Sequence, residues 1–135
     1  MSRLEMLSGV MSRFLLGVDE QNADWMRAAL TEDAENAMIL DGERIALPPG
    51  RDGIVGYIQE FWKTQTDRRR HVLSNAIVES ESPDAAVVSF YMTLYATKDR
   101  KLRAVATGRY RVQFVVRDGR GWMRRVDLTL DGPFD

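Results

Sequence analysis

Leu4, Leu7, Met11, Leu15 and Val18 recur at three- and four-residue steps, which predicts an amphipathic helix at the start of the chain. Ser2 and Glu5 stand at capping-box spacing and would begin that helix almost at the N-terminus. Asp19 follows Leu15 by four positions, so a carboxylate falls on or beside the buried stripe. It also lies near the helix's C-terminal end, where the dipole disfavours negative charge and a buried acid needs a partner. A short second helix, about Asp24 to Leu30, carries Trp25, Met26 and Ala29. TEDAENAMIL then passes from a polar turn into a strand around Glu35 to Leu40. Asp41-Gly42 is a hairpin signal, Arg44 to Leu47 the returning strand, and Pro48-Pro49-Gly50 its end. From Arg51 to Gln65, Ile54, Val55, Tyr57, Ile58, Phe61 and Trp62 restore helical spacing, with Gly53 and Gly56 allowing close packing.

Beyond Arg68 the pattern turns to β. HVLSNAIVESE, AAVVSFYMTLYAT, RAVATGRYRVQFVVRD and WMRRVDLTL are rich in β-branched and aromatic residues. Short turns at Ser82-Pro83-Asp84, Lys98-Asp99-Arg100 and Asp118-Gly119-Arg120-Gly121 make each junction a hairpin. Helices followed by a strand meander predict an α+β domain spanning 1–135. A cone-like, curved antiparallel sheet would wrap the N-terminal helices and enclose a pocket fit for a small molecule.

Composition narrows the function classes. The chain is 44% hydrophobic and 29% charged, with 19 basic against 20 acidic residues, so no bulk field points to nucleic acid or an anionic membrane. Cysteine is absent, which removes disulfides, a thiolate nucleophile and cysteine metal sites. Arg3, Glu5 and Arg13 interrupt the N-terminal apolar residues, unlike a secretory signal, and no segment approaches membrane-spanning length. A cytoplasmic location is the expectation. The run Arg68-Arg69-Arg70 beside Asp67 reads as a solvated strand mouth. Arg124, Arg125 and Asp127 read as an exposed face or a dimer interface.

His71 is the single histidine of the chain. From its position alone it is either a proton-transfer group or a polar residue at the mouth of a strand. Alternation places His71, Leu73, Asn75 and Ile77 on one face, and Val87, Ser89, Tyr91, Thr93 and Tyr95 on one face of the next strand. Asn75 and Tyr91 are then candidate hydrogen-bond donors to a substrate oxygen. Trp25, Tyr57 and Phe61 are candidate pocket walls, with plain core packing as the alternative for each.

Three stretches, FLLGVDEQNADW, RRHVLSNAIVE and GRYRVQFVVRDGRGWMRRVDLTLDGP, resemble in order and spacing the SnoaL-like branch of the nuclear-transport-factor-2-like superfamily. That branch includes polyketide cyclases, scytalone-dehydratase-type lyases and a dehydrochlorinase, and more distantly the β subunits of ring-hydroxylating dioxygenases. The resemblance implies that Asp19, in Gly17-Val18-Asp19, faces His71, in Arg70-His71 with Asn75 following, inside the cavity. It also aligns Arg117 with an arginine of the dehydrochlorinase. Two departures stand out: the second histidine of the dehydratase-type site is missing, and so is the tyrosine that often precedes the helix-one aspartate.

A carboxylate on one imidazole nitrogen fixes the tautomer and steadies the imidazolium, leaving the other nitrogen to take a proton at neutral pH. The implied activity is that of a lyase or isomerase, dehydratase- or cyclase-like, needing no cofactor and no metal. Its ligand would be a small hydrophobic or cyclic molecule, and the assembly a homodimer through the sheet. The alternative is a non-catalytic ligand-binding or accessory domain of the dioxygenase β-subunit kind.

Overall fold

The computed structural model describes Met1–Asp135. Helix α1 (Arg3–Asp19) starts where Ser2 Oγ accepts the Glu5 N–H at 3.1 Å, and it buries Leu7, Met11, Phe14 and Leu15. Gln21 reverses the chain at φ 56°, and Asn22 caps α2 (Ala23–Ala29) by accepting the Trp25 N–H at 3.2 Å. The two helices approach closely at Gly17, where a Cβ would stand 2.9 Å from both the Asn22 carbonyl oxygen and Met26 Cγ.

Strand β1 (Leu30–Leu40) begins five residues before the predicted Glu35, and β2 (Glu43–Ala46) returns antiparallel to it. Between them Asp41 and Gly42 take φ 52° and 78°, the left-handed pair of a type I′ turn. Helix α3 (Arg51–Trp62) stops short of the predicted Gln65, because Lys63 and Thr64 donate three residues back in a tightened last turn. A Cβ at Gly53 would lie 3.1 Å from the Pro48 carbonyl oxygen, as close packing requires, but Gly56 has open space.

The hairpins of β3 (Arg68–Ser82), β4 (Ala85–Lys98), β5 (Lys101–Arg117) and β6 (Arg120–Leu130) form as the turn signals predict. The sheet order is β2-β1-β6-β5-β4-β3. One seam departs from the antiparallel expectation: β1 pairs parallel with β6. A parallel neighbour needs a long crossover, here supplied by all the chain between them. Register shifts in the β3–β4, β4–β5 and β5–β6 pairs mark where the sheet bends over the helices.

Inside that curve, Val88, Phe90, Met92 and Leu94 of β4 meet Tyr110, Val112 and Phe114 of β5 and the buried face of α1 in one 26-residue core. Each fully buried side chain of this size contributes ~1.5–3 kcal/mol relative to exposure. The outer sheet face carries Val72, Ile77, Tyr91 and Leu102, all exposed, beside Glu79, which lies 3.6 Å from Arg109 and 3.4 Å from Arg111. No helix is long and apolar enough to cross a membrane.

Candidate functional site

Asp19 ends α1 with a carboxylate that is only 5% exposed, at the helix terminus least suited to negative charge. Its compensation comes from β3. That strand is the outer edge of the sheet, so its outward amides have no neighbouring strand. Asp19 Oδ2 accepts the His71 backbone N–H at 2.7 Å, and Asp19 Oδ1 meets His71 Nδ1 at 2.6 Å. An ionised carboxylate only accepts, so Nδ1 carries the hydrogen and the neutral ring keeps its lone pair on Nε2. The next residue strengthens the junction: Glu20 lies 3.7 Å from Arg68 and 3.2 Å from Arg70. Two arginines of the basic run thus grip the end of α1 while His71 grips the residue before it. The third, Arg69, pairs with Asp67 at 3.0 Å.

His71 lines a cavity of about 440 Å³ between α1, α3 and the concave sheet face. Phe14, Leu15 and Val18 form its α1 wall, and Met92, Leu94 and Leu128 its sheet wall. From α3, Tyr57 and Phe61 contribute partly exposed rings packed edge to face at a centroid distance of 5.4 Å. Asn36 adds an amide to this apolar lining. Tyr110 adds a phenol whose ionisation burial pushes far up, with the nearby Asp19 charge adding to the shift, so that its proton is firmly held. At the mouth lies Asp67. Burial alone would raise its carboxyl, but hydrogen bonds and charge from Arg69 and Arg103 outweigh burial and hold it below the ordinary value.

Of the residues singled out in the sequence, the fold places His71, Tyr57 and Phe61 on the wall of this cavity, with Asp19 bonded to His71 from behind. Four others lie outside it. Trp25 is 42% exposed because Met26 and Ala29 take the buried face of α2. Asn75 adopts φ 55° inside the register shift between Ser74 and Ile77, and this bulge reverses alternation. Beyond it Ala76 and Val78 face the core, while Asn75 and Ile77 face outward. Tyr91 is 56% exposed on the outer sheet face, opposite Ser74, since Phe90 and Met92 take the inner one. Arg117 lines a different cleft.

Tyr110 and Asn36 were not among the candidates. Tyr110 was within reach of the pattern, because it shares strand parity with the buried Val112, Phe114 and Val116. Asn36 carries no comparable signal in its sequence context. No three His, Asp or Glu side chains converge as metal ligands do. Chemically, the assembled groups are a carboxylate-oriented imidazole and a protonated phenol within a largely apolar enclosure.

The sequence profile of the SnoaL-like domain matches residues 5–126. No curated protein sequence matches the chain significantly. Among solved structures, the chain is similar to a protein described as the β subunit of an aromatic-ring-hydroxylating dioxygenase from Novosphingobium aromaticivorans. They share 13% identity over 94% of this chain and 88% of that one, with a TM-score of 0.80. A Catenulispora acidiphila protein in complex with S-DNPA is 20% identical, over 94% of this chain and 92% of that one, with a TM-score of 0.79. A Mycobacterium tuberculosis protein of unknown function is 19% identical, over 94% and 70% of the two chains, with a TM-score of 0.77. At such identities the likeness is one of fold, the NTF2-like or cystatin-like cone.

Proposed function

The chain belongs to the SnoaL-like domain family, and on that footing we propose that it is a lyase or isomerase acting on a small hydrophobic or cyclic molecule without a cofactor. The observation that carries this reading is the 2.6 Å contact between Asp19 and His71 at the wall of an apolar cavity. His71 Nε2 is the base. It takes a proton from a carbon beside a carbonyl, and the C–H electron pair moves onto the carbonyl oxygen as an enolate. Tyr110 donates its firmly held proton in a hydrogen bond to that oxygen. The enolate then expels a β hydroxyl that takes the imidazolium proton and leaves as water, receives that proton at another carbon, or attacks a second carbonyl whose alkoxide takes it; these are dehydration, isomerisation and cyclisation.

Asp19 stabilises the imidazolium formed on the way and never needs to take the proton itself. A positioned base contributes ~10²–10⁴-fold, and the remainder of the acceleration comes from placement and exclusion of water. The test is a screen of cyclic ketones and β-hydroxy ketones by deuterium exchange in heavy water, comparing wild type with His71→Ala. Exchange into a substrate by wild type alone is the expected result. Equal exchange by both proteins would remove His71 from the mechanism.

A second reading is an accessory domain without chemistry of its own. It is favoured by the TM-score of 0.80 against the protein described as a dioxygenase β subunit. Under that reading the protein co-purifies with an iron–sulfur partner, and His71→Ala leaves the complex intact. Pairing of two copies through the outer sheet face is compatible with either reading, as is a cytoplasmic location.

A further inference from the structure

Three side-chain polar atoms in the chain are buried without a hydrogen-bond partner: Thr31 Oγ1, Arg51 Nε and Trp62 Nε1. Trp62 belongs to the His71 cavity, but Thr31 and Arg51 line a different depression, also of about 440 Å³. It opens where the beginning of β1 and the first residue of α3 meet the turn end of the β5–β6 hairpin. Both atoms are closed to solvent, so a molecule in the cleft would meet the other polar atoms of its lining.

The charge balance of that lining points to an anion. Arg51, Arg117 and Arg124 face two acids, Glu32 and Asp33. Arg124 is matched, with its Nε 3.7 Å from Asp33. Arg51 and Arg117 form no ion pair with a carboxylate of the chain, and Glu32 forms none with a basic side chain. Two guanidiniums therefore stand against one acid. The twelve-residue α3 begins at this wall, its Gly50 N-cap offering no side-chain oxygen to the first-turn amides. Its dipole adds positive potential of the same sign. Trp122 provides a flat apolar surface, with the Arg120 guanidinium 4.9 Å from its ring centroid.

We propose that this cleft binds the oxyanion group, carboxylate or phosphate, of a small molecule. Arg51 and Arg117 supply charge-assisted hydrogen bonds. Glu32 opposes the anion and keeps affinity moderate. The site lies apart from His71 and does not depend on the reaction proposed there.

The test is isothermal titration of the full chain at low ionic strength with inorganic phosphate and, separately, with succinate. Saturable binding of at least one probe is expected. Arg51→Met and Arg117→Met should each weaken it about tenfold or more, the loss of one charge-assisted hydrogen bond. Glu32→Gln should tighten it, and His71→Ala should leave it unchanged. Arg117 is exposed at a strand end, so its variant remains informative even if Arg51→Met folds poorly. Phosphate alone binding would identify a phosphoryl ligand, and succinate alone a carboxylate ligand. No saturable heat with either probe, arginine variants that titrate like wild type, or loss of binding in His71→Ala would each overturn the assignment.

Discussion

Asp19 holds His71 by two atoms at once, the ring Nδ1 at 2.6 Å and the backbone N–H at 2.7 Å, across 52 positions of sequence. The double contact fixes more than a tautomer. It ties ring orientation to the backbone of β3, so the imidazole cannot rotate without breaking a bond to a buried carboxylate. Removing either partner therefore has two separable effects, on chemistry and on the α1–β3 junction.

For a substrate found by the exchange screen, His71→Ala should lower kcat/KM by ~10²–10⁴-fold, the contribution of a positioned base. Asp19→Asn should lower it as well, and should also cost about 1–3 kcal/mol in urea denaturation, because the backbone amide of His71 loses a charged acceptor. Steady-state rates and unfolding curves on the same samples separate the two effects. Wild-type rates in both variants would end the base assignment.

Tyr110→Phe should reduce kcat more than it raises KM, since the phenol is asked to act on the developing oxyanion. It should also change behaviour in alkali. Burial raises the Tyr110 phenol above its ordinary 10.0, so above that pH the native state holds a proton that the unfolded chain has lost. Native stability must then fall as pH climbs past 10, and part of that fall should vanish in Tyr110→Phe. Unfolding curves measured across the alkaline range provide the check.

Asp67→Asn addresses the opposite end of the pH scale. The native carboxyl titrates below its ordinary 3.8, so its pairing with Arg69 and Arg103 contributes fully at neutral pH and fades as acid protonates it. The variant should be less stable by about 1 kcal/mol at pH 7, given that both arginines are partly exposed. The gap should close as pH drops through the lowered native value. A gap that persisted in strong acid would show that the pairing is not its source.

Phe61 and Trp25 form a matched control. Phe61→Ala should raise KM severalfold by opening the cavity mouth, because Phe61 lines it and packs on Tyr57. Trp25→Ala should leave both KM and kcat near wild type, since its ring stands on the solvent side of α2. Parallel kinetics on the two variants decide the matter.

What could be read from the residues depended on the kind of signal each carried. Strands β3 to β6 were legible because their apolar runs are long and their turns use Asp, Gly and Pro. The first half of β1 was not, because Thr31-Glu32-Asp33 look like a loop, and the register shift there breaks alternation. Its parallel partnership with β6 was equally hidden, since alternation specifies faces and not neighbours. Asn75 shows the same weakness at one residue: parity counting fails beyond a bulge. Asp19 and His71 are a different case. The stripe showed that Asp19 needed a partner, but only the family resemblance pointed to the residue that satisfies it.

The position of β3 at the rim of the sheet has a consequence for solution behaviour. A fifteen-residue strand with outward amides invites a foreign strand to dock alongside it. Here the Asp19 carboxylate occupies one docking point, Glu20 and its arginines crowd the adjoining stretch, and the kink at Asn75 spoils straightness farther along. The group that aims the imidazole is thus also a guard against self-templated aggregation.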